Sequence, residues 1–258
     1  MTFLHAVILG IVEGLTEFLP ISSTAHLIWI SKFLGLQTTE FTKFFEVFIQ
    51  SGAILAVVIL YFKYLLEHKT LLLNLLLSFI PTAFIGFFLY KVIKNVFFES
   101  SNLILLVFFI VGIIFILFEL FINQNKIKPR RSINEIRPWE AIIIGFGQSL
   151  AIVPGVSRAG AVIVTMMGFN FRRDEAARYS FFLAIPTIIS ASVFDLLKTD
   201  FSLVSDPENI SLVVLGFITS FITALFVVKW FIKYLQNNNL IGFGIYRIVV
   251  AFFLFLHP

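Results

Sequence analysis

Glu13 and Glu17 stand four residues apart in an apolar segment that runs into Pro20-Ile21-Ser22-Ser23-Thr24-Ala25-His26. On an α-helix this spacing puts both carboxylates on one face. Pro154-Gly155-Val156-Ser157-Arg158 forms a second polar island in apolar sequence, with Gly160 just beyond it. An arginine beside hydroxyls suits phosphate oxygens, which makes Ser22, Ser157 and Arg158 candidate phosphate ligands. Gly155 and Gly160 allow close backbone approach, and a helix starting after such a loop directs free N–H groups at an anion. Two carboxylates beside that anion suit a hard divalent cation, Mg2+ or Ca2+, bridging to phosphate. Ser23 is the candidate nucleophile, and His26, one helical turn on, its base. Together these parts describe metal-assisted phosphoryl transfer. The blander alternative makes Glu13 and Glu17 a structural lock on Arg158, and Ser22, Ser23 and Thr24 helix caps. Glu46 and Gln50 share another helix face, with Glu46 lining the cavity or lying near the outer interface.

The surroundings of these groups have a membrane composition. The 258 residues are 59% hydrophobic and 13% charged, with 34 Phe; a soluble domain carries about 25% charged residues. With no cysteine, disulfides, thiolate nucleophiles and Cys-ligated metals are excluded. The basic residues punctuate apolar runs rather than forming a patch, which argues against nucleic acid. The first residues lack a basic n-region and a cleavage site, so the N-terminal segment is expected to be retained. Six runs are long enough to cross a bilayer, near 44–62, 71–93, 102–122, 178–197, 211–230 and 241–257. Residues 3–30 and 139–169 are each broken midway by Pro, Gly, Ser and charge, and broken backbone at membrane depth must be buried or line a cavity. Both are expected to be re-entrant helical hairpins, the competing reading being a Pro-kinked span. The fold class is therefore an all-α polytopic membrane protein in a single integral membrane domain.

Loop charges orient this arrangement. Loop 123–138 holds Lys126, Lys128, Arg130, Arg131 and Arg137, which makes it cytoplasmic. Lys63, Lys69, Arg172, Arg173, Arg178, Lys229 and Lys233 then also fall inside. Lys32, Lys43, Lys91, Lys94 and Lys198 fall outside, as does loop 198–210 with Asp200, Asp206 and Glu208. Full spans in place of the hairpins would move Arg172 and Arg173 outside, so the charges favour hairpins. The chain also resembles itself. Gly10-Ile11-Val12-Glu13-Gly14-Leu15 matches Gly145-Phe146-Gly147-Gln148-Ser149-Leu150, Pro20 and Ser23 match Pro154 and Ser157, and Phe79-Ile80-Pro81-Thr82 matches Phe217-Ile218-Thr219-Ser220. Each half, about 1–122 and 139–258, is one hairpin followed by three spans. An odd number of spans inverts the second copy, giving an inverted-topology repeat whose broken segments meet near the midplane.

Glu13-Gly-Leu-Thr-Glu17-Phe-Leu-Pro-Ile-Ser-Ser-Thr-Ala-His26 and Pro154-Gly155-Val156-Ser157-Arg158 resemble the two signatures of the bacterial undecaprenyl-diphosphate phosphatases of the bacitracin-resistance type. The likeness extends through Phe45-Glu46-Val47, Ile49-Gln50, residues 179–186 and Tyr246-Arg247. It implies an inner-membrane enzyme that hydrolyses a C55 isoprenyl diphosphate to the monophosphate and so recycles the carrier lipid for peptidoglycan. It also implies paired re-entrant hairpins and a site open to the periplasm, and leaves room for a homodimer. By motif position, Glu13 and Glu17 correspond to the family's metal-linked acids, and Ser23 and His26 to its candidate nucleophile and acid/base. Ser157 and Arg158 correspond to phosphate ligands, and Glu135 falls where the family often has an acid. The second signature usually continues Ser-Arg-Ser-Gly-Ala-Thr, whereas this chain has Ala159 and Val162 in place of two hydroxyls. Thr165, one turn past Val162, is the candidate substitute. A lipid flippase is the rival function, since inverted repeats with broken helices also build transporters; a purely structural subunit leaves the costly polar groups unexplained.

Overall fold

The computed structural model describes residues 1–92, 101–126, 129–198 and 206–256. Lys94, Lys128, Asp200 and His257 lie outside them. Among the described residues the regular structure is helical: α1 (Phe3–Thr16), α2 (Ser23–Phe33), α3 (Glu40–Glu67), α4 (Lys69–Val92), α5 (Ser101–Phe121), α6 (Pro138–Ser149), α7 (Arg158–Gly168), α8 (Arg173–Lys198), α9 (Pro207–Asn237) and α10 (Ile241–Leu256). No strand occurs among them beyond a single bridge between Arg131 and Phe171.

Five helices, α3, α4, α5, α8 and α9, are long and apolar enough to cross a membrane. They overrun the apolar windows because capped, charged ends stay helical. Thr39, for example, accepts the N–H of Thr42 at the start of α3. The sixth expected span, 241–257, forms α10 but has only 16 residues. At 1.5 Å per residue it reaches about 24 Å, short of a ~30 Å hydrocarbon core. Among the described residues, five of the six expected spans thus form at full crossing length.

Residues 3–30 and 139–169 are each split into two short helices, α1 with α2 and α6 with α7. These have 14, 11, 12 and 11 residues, so none crosses a bilayer alone. Within each pair the two helices pack against one another. α1 also packs along α9, and α6 along α4. Both contacts are close because glycine faces backbone. A Cβ on Gly10 would lie 2.7 Å from the Gly216 carbonyl, and one on Gly145 would overlap the Ser78 carbonyl. Gly10 and Gly145 are repeat partners at the offset seen in sequence, and their acceptors, Ser78 and Gly216, are related by the longer offset of the Phe79/Phe217 match. α5 and α10 cross reciprocally, Gly112 against the Gly244 carbonyl and Gly244 against that of Gly112.

The base of the second broken pair is held by ion pairs. Arg131 donates to both Glu140 oxygens (2.7 and 2.9 Å), to the Phe169 carbonyl (3.0 Å) and to the Glu135 carbonyl (2.7 Å), and covers the Phe171 ring. The Glu140 hydrogen bond pushes the Arg131 guanidinium further above its usual range. Arg173 grips Glu119 with Nε and one terminal nitrogen (2.9 and 2.5 Å).

Candidate active site

Both broken pairs turn through the same unusual backbone. Ser22, before α2, has φ 65°, and Ser157, before α7, has φ 75°. Non-glycine residues rarely adopt this left-handed region, and strained positions of this kind cluster at functional sites. The match aligns Ser22 with Ser157, the same 135-residue offset as Gly10 with Gly145. The alignment of Ser23 with Ser157 expected from sequence is therefore one residue out of register.

The starts of α2 and α7 meet at one cavity of about 180 Å³. Glu17, Ser22, Ser23, Thr24, Gly155, Ser157 and Arg158 line it, with Gln50 from α3 and Thr187 from α8. Two helix N-termini facing one space favour an anion there.

Glu17 organises the polar groups. Its Oε2 accepts the Ser23 hydroxyl at 2.5 Å, and its Oε1 accepts Arg158 at 3.0 Å. Arg158 also donates to the Ser180 carbonyl at 2.8 Å, which fixes the guanidinium plane. The ion pair anticipated as a structural lock is thus present, but it forms a cavity wall.

Glu13, one turn earlier, is fully buried, and neither carboxylate oxygen has a hydrogen-bond partner. Its charged neighbours are Glu17, Glu46 and Arg158. Glu46 accepts the Ser31 hydroxyl at 2.8 Å and does not line the cavity. A buried carboxylate in this setting calls for a proton or a cation. Among the described residues no three His, Cys, Asp or Glu side chains are grouped to hold a metal by themselves. Glu17 lines the cavity and Glu13 does not, so a cation entering the cavity would meet Glu17, with Glu13 buried one turn behind it.

His26 differs from its expected role as base for Ser23. The ring is turned from the cavity by two hydrogen bonds, Nδ1 to the Ser22 carbonyl at 2.8 Å and Nε2 to the Tyr246 hydroxyl at 2.7 Å. A carbonyl only accepts, so Nδ1 carries the proton, and in the neutral ring Nε2 accepts from Tyr246. The Ser23 hydroxyl goes to Glu17 instead.

Other expected groups sit apart from the cavity. The Gly160 N–H donates to the Ser157 hydroxyl at 3.2 Å, and its Cα faces the Phe115 ring. Thr165 donates to the Ala161 carbonyl at 2.8 Å and lies against Gly147, so it does not replace the missing hydroxyls. Ala159 and Val162 are fully buried and do not line the cavity. The departure from the family signature therefore falls on packing positions. Glu135 stays in the loop, accepting the Ser132 N–H at 3.1 Å.

Sequence reasoning gave no role to Thr187, to the Ser180 carbonyl or to Arg247. Arg247 alone carried a signal, being the one charged residue within α10.

Five long apolar helices and two broken helix pairs around an ion-paired cavity define a multi-pass membrane protein with a polar site between its halves. The chain belongs to the bacitracin resistance protein BacA family, which it matches over residues 6–253. It is 50% identical to the undecaprenyl-diphosphatase of Sulfurihydrogenibium sp. (strain YO3AOP1), over 99% of both chains. The undecaprenyl-diphosphatase of Aquifex aeolicus is 46% identical over 99% of this chain and 100% of its own, and that of Campylobacter fetus 45% over 97% of each.

Proposed function

We propose that this chain hydrolyses undecaprenyl diphosphate to undecaprenyl phosphate and inorganic phosphate, returning the carrier lipid to cell-wall synthesis. The observation that carries the reading is the Ser23–Glu17–Arg158 array on the cavity wall, in a chain whose curated relatives are named for that hydrolysis.

The terminal phosphate enters between the two helix starts and meets Arg158, Ser157 and the first-turn N–H groups of α2 and α7. The Ser23 oxygen attacks the terminal phosphorus while its proton passes to Glu17. The bond from that phosphorus to the bridging oxygen breaks, and the lipid leaves as its monophosphate. Glu17 passes that proton to the departing lipid monophosphate. Water then attacks the phosphoserine, giving its proton to Glu17, and Glu17 returns it to the Ser23 oxygen as the Ser23–phosphorus bond breaks and phosphate departs. Arg158 holds the phosphoryl oxygens, where preorganised positive charge is most effective. Glu17, with Glu13 one turn behind it, would hold a divalent cation, which would supply charge neutralisation at the phosphate. His26 fixes the first turn of α2 through Ser22. A flippase needs no hydroxyl paired to a carboxylate, so the array favours hydrolysis over transport. Every named group comes from one chain, and the chemistry does not require a homodimer.

Purified protein is expected to release phosphate from undecaprenyl diphosphate, to stop when a chelator is added and to recover when Mg2+ or Ca2+ is restored. Activity indifferent to chelator would remove the cation from this account.

The two broken pairs enter as hairpins from opposite sides of the inner membrane, α10 completes an inverted six-span repeat, and the cavity opens to the periplasm. Their short helices and mutual packing support this reading, as do the loop charges. Thr24 lines the cavity and is partly exposed. In this cysteine-free chain a Thr24→Cys variant should react with an impermeant thiol reagent added outside intact spheroplasts. Labelling only from the cytoplasmic side would reverse the orientation.

A further inference from the structure

Among the described residues Arg247 is the largest fully buried side chain, at 0% exposure, in the middle of the short helix α10. Burying a guanidinium without a carboxylate partner is costly and calls for an offset. No carboxylate pairs with it among the described residues. It donates instead to three backbone carbonyls: Nε to Phe108 at 3.0 Å, one terminal nitrogen to Pro20 at 3.1 Å, and the other to Gly155. Its face lies over the Phe108 ring, 4.2 Å from the centroid.

The acceptors are telling. Pro20 precedes Ser22 by two residues, and Gly155 precedes Ser157 by two. They are equivalent points of the two repeats, one on each loop that delivers a helix start to the cavity. A single planar fork thus joins the loop carrying Ser22 and Ser23 to the loop carrying Ser157 and Arg158. The hydrogen bond from Tyr246 to His26, one residue earlier on α10, ties the first turn of α2 to the same helix.

We infer that Arg247 is a positioning residue for catalysis: it sets the register between the two halves of the site without touching substrate. Lysine keeps the charge but cannot reach three diverging carbonyls from one ammonium, so charge alone does not substitute. The inference rests on the proposed hydrolysis. It deepens that reading by assigning the geometry of the Ser23–Glu17–Arg158 array to a residue outside the cavity.

The test compares wild type, Arg247→Lys and Arg247→Gln as purified full-length chains. Phosphate release from farnesyl diphosphate is measured per folded molecule, with folding followed by thermal melting in detergent. Misplacing reacting groups by about 1 Å costs on the order of a hundredfold, so kcat should fall by that order in both variants while KM changes little. Lysine should recover no more activity than glutamine. Three results would overturn the inference: a folded Arg247→Lys protein with near-wild-type kcat, a loss confined to KM, or failure of both variants to fold, which would make Arg247 structural only. An inactive wild-type protein would instead count against the proposed hydrolysis itself.

Discussion

Glu17→Gln should lower kcat/KM about a thousandfold, the scale of losing a positioned proton acceptor. Glu17 hydrogen-bonds both Ser23 and Arg158, and each uses a different oxygen. Glutamine keeps the size and one acceptor oxygen. It presents an N–H₂ group to one of two donors and cannot take a proton from Ser23. The Arg158 guanidinium also loses its anionic partner, and breaking a buried pair on one side costs about 3–5 kcal/mol. Some loss of melting temperature is therefore expected as well. The purely structural lock predicts something else: destabilised protein whose folded fraction turns over normally. Activity per folded molecule separates the two, and wild-type turnover by folded Glu17→Gln would remove Glu17 from the chemistry.

Ser23→Ala should reduce phosphate release to background while leaving folding nearly intact. The hydroxyl is buried, and its hydrogen-bond partner is Glu17. Removing it leaves Glu17 still paired with Arg158, so little stability is lost. A serine acting only as a helix cap would behave differently, since cap removal costs about 1 kcal/mol of stability and no chemistry. The N-cap of α2 is in any case Ser22, one residue earlier.

Much of this site was legible in the sequence because burying polar groups in an apolar chain is expensive. Glu13, Glu17, Ser157 and Arg158 stood out for that reason, and Glu17 and Arg158 do meet. The internal repeat was legible as well, because glycine is required where α1 and α6 press against neighbouring backbone. Side-chain direction was not. The i, i+3 spacing places His26 near Ser23, but spacing cannot show that a tyrosine 220 residues away captures the ring. The positive φ at Ser22 and Ser157 was hidden too, since serine carries no such signal and only the surrounding contacts impose it. Thr165 went astray because a threonine in a helix can satisfy its hydroxyl on its own preceding turn, as it does with Ala161. Arg247 was visible as a charge in an apolar helix, yet its acceptors are backbone carbonyls, which no residue pattern marks.

The most direct measurement sets purified wild type and Ser23→Ala side by side with undecaprenyl diphosphate and the cation. Inorganic phosphate and undecaprenyl phosphate are quantified together. The account predicts equimolar release of both by wild type, transient phosphorylation of Ser23 on rapid acid quench, and neither from the alanine variant. Equal phosphate release by folded Ser23→Ala would contradict it.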